Sequence, residues 1–385
     1  RPPTDPRHGA EGTRPSWVVA YVLISGFWGL VYQVVWLRLA MAAFGVTAPM
    51  VSIVNSVFMA GLALGSWLGG RLGQARRPSP LRIYAWAELA IATSGVLVPF
   101  ALSRGRQVLV GASEGPVWGS LGHHLVSGAL VTVVLLPFCT CMGATFPLAL
   151  GAIRRSARAR SSRSFSYLYV ANVVGACAGT LLSSLVLIEL MGFRGTLGVA
   201  ALLNAGLAAL ALALDSRTAP TAPDPAVEGE TAGAGPGSER RWVVLFALFA
   251  TGFSSMGMEV VWVRQLTPYL GTVVYAFAFI LALYLAATFT GSILYRRWGQ
   301  RAVSSPVVTW SLAWSGMGLL GLLSLASTDP RLGGGAGFAV GAVRAAVAIV
   351  PLCGALGFFT PMILDRWSGG EPGRAGTAYA VNMLG

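Results

Sequence analysis

Gln33-Val-Val-Trp-Leu-Arg38 returns 226 residues later as Glu259-Val-Val-Trp-Val-Arg264. Around this pair the offset holds without a gap. Ser25-Gly-Phe matches Thr251-Gly-Phe, Gly45 matches Gly271, Gly65-Ser66 matches Gly291-Ser292, and Arg71 matches Arg297. Further on, Pro137, Cys139, Gly143 and Pro147 return at an offset of 214 as Pro351, Cys353, Gly357 and Pro361. At an offset of 210, Tyr169-x-x-Asn172-x-x-Gly175 becomes Tyr379-x-x-Asn382-x-x-Gly385. Such spacing marks an internal repeat of one long unit.

The unit is apolar. Hydrophobic residues make up 55% of the chain and charged residues only 11%, with a mean hydropathy of +0.68. A water-facing surface needs about 25% charged residues, so lipid is the solvent for much of this chain. Ten runs are long enough to cross a bilayer: Trp17–Leu39, Pro49–Gly70, Ile83–Leu102, Leu125–Leu150, Tyr167–Leu190, Thr196–Leu214, Trp242–Leu266, Thr272–Tyr295, Pro306–Ala326 and Phe338–Leu364. An eleventh is expected from about Thr377, and Arg104–His124 is left as a loop or a short re-entrant piece. The expected fold is therefore an all-α polytopic membrane bundle. It comprises a cytoplasmic tail (1–16), a first six-helix repeat (17–214), a flexible linker (215–241) rich in Pro, Gly, Ala, Thr and Glu, and an incomplete second repeat (242–385). Six spans per unit is an even number, so the repeats are expected to be parallel, as in major facilitator transporters, whose sites lie between the halves. A complete second repeat would bring the total to at least twelve spans.

All 27 basic residues are Arg, and with the N-terminus in the cytoplasm 20 of them fall in inside segments. The positive-inside rule then orients the chain in a bacterial-type inner membrane. The net charge of +13 reports this bias, and no nucleic-acid module is present. Cys139, Cys141, Cys177 and Cys353 lie in apolar runs without metal-ligand spacing to His8, His123 or His124, so neither metal nor cofactor is expected.

Small residues recur one turn apart at Gly61, Gly65 and Gly69, at Ala287 and Gly291, and at Ala171, Gly175 and Gly179. In lipid such rows let helix backbones approach closely. Pro147 and Pro361, with Pro137 and Pro351, each remove a backbone donor and mark candidate bends or gates. Ionisable groups inside spans are costly and mark function. Glu88 and Glu259 are the candidates for a ligand or proton role, with Gln33, Asn172 and Asn382, and also Asn55 and Asn204, as neutral company. Glu259 and Arg264 stand about 140° apart around one helix, so each is expected to look to another helix. Arg38 and Arg264, near the outer helix ends, are expected as interfacial anchors, with Trp36 and Trp262 beside them in the aromatic belt. His123-His124 is expected as an exposed outer pair.

Ser25-Gly-Phe-x-Gly-Leu-Val-Tyr-Gln-Val-Val-Trp-x-Arg38, Met59-Ala-Gly-Leu-Ala-Leu-Gly-Ser66, Met142-Gly-Ala-Thr-Phe-Pro147 and Tyr169-Val-Ala-Asn172 resemble the membrane part of fused major-facilitator/spermidine-synthase proteins. The resemblance covers most of both halves. It implies a polyamine connection and a spermidine-synthase-like domain in the cytoplasm after the membrane part, while residues 1–385 hold no catalytic site of that kind. Two functions stay open: transport of a small amine or related metabolite, and a non-transporting anchor for a cytoplasmic spermidine-synthase-like domain.

Overall fold

The computed structural model describes residues 16–74, 78–111, 117–156, 164–217, 238–298, 306–332, 337–368 and 371–385. The chain forms helices α1 (Ser16–Phe44), α2 (Ala48–Leu72), α3 (Pro80–Gly111), α4 (Leu121–Ser156), α5 (Ser164–Leu182), α6 (Ile188–Arg217), α7 (Ser238–Leu270), α8 (Val273–Trp298), α9 (Pro306–Thr328), α10 (Phe338–Ser368) and α11 (Pro372–Leu384). No strand occurs among the described residues. Helices satisfy their own backbone groups, which lipid demands. Eight stretches are long and apolar enough to cross a membrane, one of them the continuous run Leu168–Ser216 that contains both α5 and α6. The chain is a multi-pass membrane protein.

Three boundaries differ from the sequence expectation. Arg104–Gly111 is neither a loop nor a re-entrant piece but the last turns of α3; Arg104 and Arg106 there are exposed, a polar end that hydropathy counting cuts short. Helices α5 and α6 are joined by a π-helical segment, Ser183–Leu187, and the chain turns at Gly192, whose φ of 64° suits glycine. Helix α11 starts at Pro372 rather than near Thr377, with proline in the first turn where its missing donor costs nothing. Most of the expected linker (218–237) lies outside the described residues, as do 1–15.

The repeat is visible in the packing. Helix α2 packs on α4 as α8 packs on α10, and α1 packs on α5 as α7 packs on α11. Ser66 Oγ donates to the Gly143 carbonyl at 3.1 Å, and its counterpart Ser292 Oγ donates to the Gly357 carbonyl at 2.8 Å. A Cβ on Gly175 would collide with the Leu23 carbonyl oxygen, and one on Gly385 with the Phe249 carbonyl oxygen, again 226 residues on. The two halves then meet through α2 against α11 and α5 against α8, pairs that the repeat relates to each other.

Both units point the same way. At one end Arg82 lies 3.9 Å from Asp215, and Gln74 Nε2 donates to Glu371 Oε1 at 2.9 Å. These residues join the start of α3 to the end of α6, and the end of α2 to the start of α11. At the other end the Arg38 guanidinium sits 5.6 Å from the Tyr275 ring centroid, and Tyr275 donates to Glu189 at 3.3 Å. The ends of α1 and α7 therefore share one side. Arg71, Arg82, Arg296, Arg297 and Arg374 gather at the opposite, arginine-rich side.

These close approaches give a stability prediction. Gly65→Val drives a branched side chain into the Thr140 carbonyl and should cost about 3 kcal/mol or more. Gly318→Val, where a Cβ meets open space, should cost under about 1 kcal/mol. Thermal unfolding of the two variants in detergent measures the difference.

Candidate functional site

Two buried polar clusters lie in the bundle at different depths. The first is on the seam between the halves. Gln33 on α1 donates from Nε2 to Asn55 Oδ1 on α2 at 2.9 Å, and Asn55 Nδ2 donates to Glu259 Oε1 on α7 at 2.8 Å. All three residues are buried. Gln33 and Glu259 occupy equivalent positions of the two repeats, and Asn55 joins them. The residue equivalent to Asn55 in the second repeat is Leu281, so the bridge is built from one half only. No arginine pairs with Glu259 among the described residues, and Arg264, five positions on, is exposed, as the helical geometry required.

The second cluster lies within the first half. Glu88 on α3 is fully buried; its Oε1 accepts from Ser25 Oγ on α1 at 2.9 Å, and its Oε2 has no hydrogen-bond partner. It lines a cavity of about 80 Å³ together with Ser25, Asn172, Asn204, Met142 and Tyr379. The last belongs to α11, and its ring stacks on Phe146 with centroids 5.7 Å apart. Asn204 Oδ1 is buried here without a partner as well. Gly26 lets this happen: a Cβ on it would lie only 2.7 Å from Asn172 Oδ1. In the second repeat the same niche is closed differently. Asn382 Nδ2 donates to the Leu248 carbonyl at 2.9 Å and to Thr251 Oγ1 at 3.0 Å. Thr251 is the counterpart of Ser25, which in the first repeat serves Glu88 instead.

The remaining sequence candidates are scaffolding around these clusters. Gly61 and Gly65 press α2 onto Cys139 and Thr140 of α4, Gly291 presses α8 onto Gly354 of α10, and Gly175 presses α5 onto α1. Pro147 and Pro361 are buried, each within a helix that continues through it. Among the described residues no cluster of His, Cys, Asp or Glu is arranged to hold a metal ion in the manner of a ligand triad.

Three expectations are corrected. Trp36 and Trp262 are not in an interfacial belt; both are fully buried, and Trp262 Nε1 donates to Ser324 Oγ on α9 at 2.9 Å. Arg38 is not a lipid-facing anchor but turns toward Tyr275 of the other half, with its Nε and Nη2 buried. His123 is buried with Nε2 2.9 Å from the Phe44 carbonyl, tying α4 to the end of α1. Each is a matter of rotation about the helix axis, which hydropathy along the chain does not report. Sequence reasoning also passed over Ser25 and Tyr84 as site residues. Tyr84, one turn before Glu88 and buried, stood in the i, i+4 relation that places both on one face.

Comparison with known proteins agrees with this architecture. No family model and no curated relative matches the sequence. Among solved structures, a mutant of the peptide transporter POT in complex with alafosfalin aligns with a TM-score of 0.58 at 12% identity, over 98% of this chain and 88% of that one. FucP, a Major Facilitator Superfamily transporter in the outward conformation, aligns with a TM-score of 0.55 at 15% identity, over 97% of this chain and 89% of that one. At these identities the likeness is one of fold: this chain shares the helical fold of these two structures.

Proposed function

We propose that this chain is the transport part of a membrane transporter for a small solute bearing positive charge, moved by alternate opening of the seam between its two halves. The observation that carries the reading is Glu259: a carboxylate buried on the seam, held by a neutral amide of the opposite half and balanced by no arginine among the described residues. A buried charge persists where something compensates it. When the halves separate, the Asn55–Glu259 bond must break, and the carboxylate then turns to whatever cation or proton enters the gap. Helix α7 ends eleven residues after Glu259, about 16 Å along the axis. That is about half of a ~30 Å hydrocarbon core, so the bridge sits near the middle of the seam.

The resemblance to fused spermidine-synthase proteins supports an amine or a related metabolite as the solute, with a spermidine-synthase-like domain as a cytoplasmic neighbour. The alternative, an anchor that moves nothing, draws on the small size of the 80 Å³ cavity, which is too small for most metabolites.

Uptake of labelled small amines by vesicles containing the full chain separates the two. The transporter reading expects saturable uptake, reduced at least tenfold by Glu259→Gln. Failure of the wild type to accumulate any amine establishes the anchor instead.

The bridge itself has a measurable strength. Asn55→Leu leaves the Glu259 carboxylate without its amide donor and should cost about 1.5–3 kcal/mol. Replacing both residues, with Glu259→Leu added, should recover the part of that loss that comes from the orphaned carboxylate, while Gln33 Nε2 is still left without its acceptor. A double-mutant cycle in thermal stability gives the coupling energy.

A further inference from the structure

The cavity beside Glu88 is separate from the seam bridge and has its own chemistry. Among its unsatisfied buried atoms, Glu88 Oε2 and Asn204 Oδ1 are both acceptors. Both residues line the same space, and Asn172 lines it too, with its Oδ1 against Gly26. Ser25 Oγ already donates to Oε1, the Thr145 hydroxyl is spent on the Met142 carbonyl, and Tyr84, one turn before Glu88, is the buried hydroxyl left beside the carboxylate. No basic side chain lines the cavity. The space is about 80 Å³, against roughly 300–1,000 Å³ for pockets that hold organic ligands. It therefore admits more than a proton and less than an extended organic molecule.

We propose that this cavity is a binding site for a small monovalent cation, an alkali metal ion or a primary ammonium head, held by Glu88, Asn204 and Asn172. Oxygen donors of this hardness suit alkali and ammonium cations rather than transition metals. Charge decides the valence. One carboxylate among neutral oxygens is neutralised by one positive charge, whereas a divalent ion would leave a net charge buried in lipid. Room remains for one or two waters to complete the coordination. In the second repeat Asn382, the counterpart of Asn172, is committed to Leu248 and Thr251 instead. The site stands whether or not the chain transports, since Glu88, Asn204 and Asn172 all belong to the first half and Tyr379 of α11 only closes the space beside them.

The test is thermal unfolding of the purified full chain in detergent at fixed pH and ionic strength, in choline chloride and then in sodium, potassium or methylammonium chloride. The expected result is a rise in Tm of about 5 °C for at least one of the three cations over choline. The metal and methylammonium arms identify which source of positive charge the site accepts. Glu88→Gln should abolish the rise. Asn204→Leu, a milder change that keeps the carboxylate, should weaken cation affinity about tenfold in a titration, while Glu259→Gln, at the seam, should leave the rise intact. The absence of any rise over choline in the wild type overturns the proposal. So does a rise that survives undiminished in both Glu88→Gln and Asn204→Leu, or one that Glu259→Gln alone removes.

Discussion

Lipid gives two apolar helices little reason to leave it for each other, because hydrocarbon tails solvate leucine as well as leucine does. Association has to come from backbones brought close enough for dispersion and for hydrogen bonds between helices. In this chain glycine supplies that closeness at repeated places. Gly65 meets the Thr140 carbonyl, Gly291 the Gly354 carbonyl, Gly175 the Leu23 carbonyl and Gly385 the Phe249 carbonyl. Each contact fixes the axial register of two helices within a fraction of a turn. The polar side chains depend on that register. Ser66 and Ser292 reach carbonyls on the neighbouring helix only because the backbones they bridge are nearly touching.

A scaffold set this way tolerates divergence in everything that does not touch the contacts. The equivalent positions Gln33 and Glu259 show it. Both sit on the first helix of their unit and both face the seam, yet one is an amide and the other a carboxylate, joined by an asparagine that has leucine as its counterpart. The niche behind the first helix has diverged as well. In the second unit an asparagine closes it by bonding to backbone and threonine, while in the first unit Glu88 enters and leaves a cavity. The packing is symmetric where it carries the fold and asymmetric where charge is buried.

The parts of this arrangement that could be read from the sequence are those that repeat along the chain. The close-contact glycines recur at an offset fixed within each matched stretch, 226 for Gly65 and Gly291 and 210 for Gly175 and Gly385, because a shifted glycine would bring a Cβ into a carbonyl, so the two units and their helix pairing were legible from residue spacing. The buried carboxylates were legible because charge is rare inside apolar runs. What could not be read was rotation. Trp36 beside Arg38, near a helix end, has the sequence look of an interfacial anchor, but it is fully buried in the bundle with its ring against Tyr32. His123 follows polar loop residues and is nonetheless tucked under the end of α1. Hydropathy measures position along the membrane normal, whereas burial within a bundle depends on which helix lies alongside, and that is fixed by contacts between residues as distant in sequence as Asn55 and Glu259.

Helix α1 takes part in both polar clusters. Ser25 on this helix holds Glu88, and Gln33, eight residues on, holds Asn55 and through it Glu259. Eight residues of helix span about 12 Å, with Gly26 and Gly29 between the two clusters. Helix α1 is also pressed against α5 at Gly175 and Gly179. The backbone contacts that fix its register therefore set the place of both clusters, while the distance along the axis leaves each buried carboxylate to its own neighbours: a serine from the same half for Glu88, an asparagine from the opposite half for Glu259.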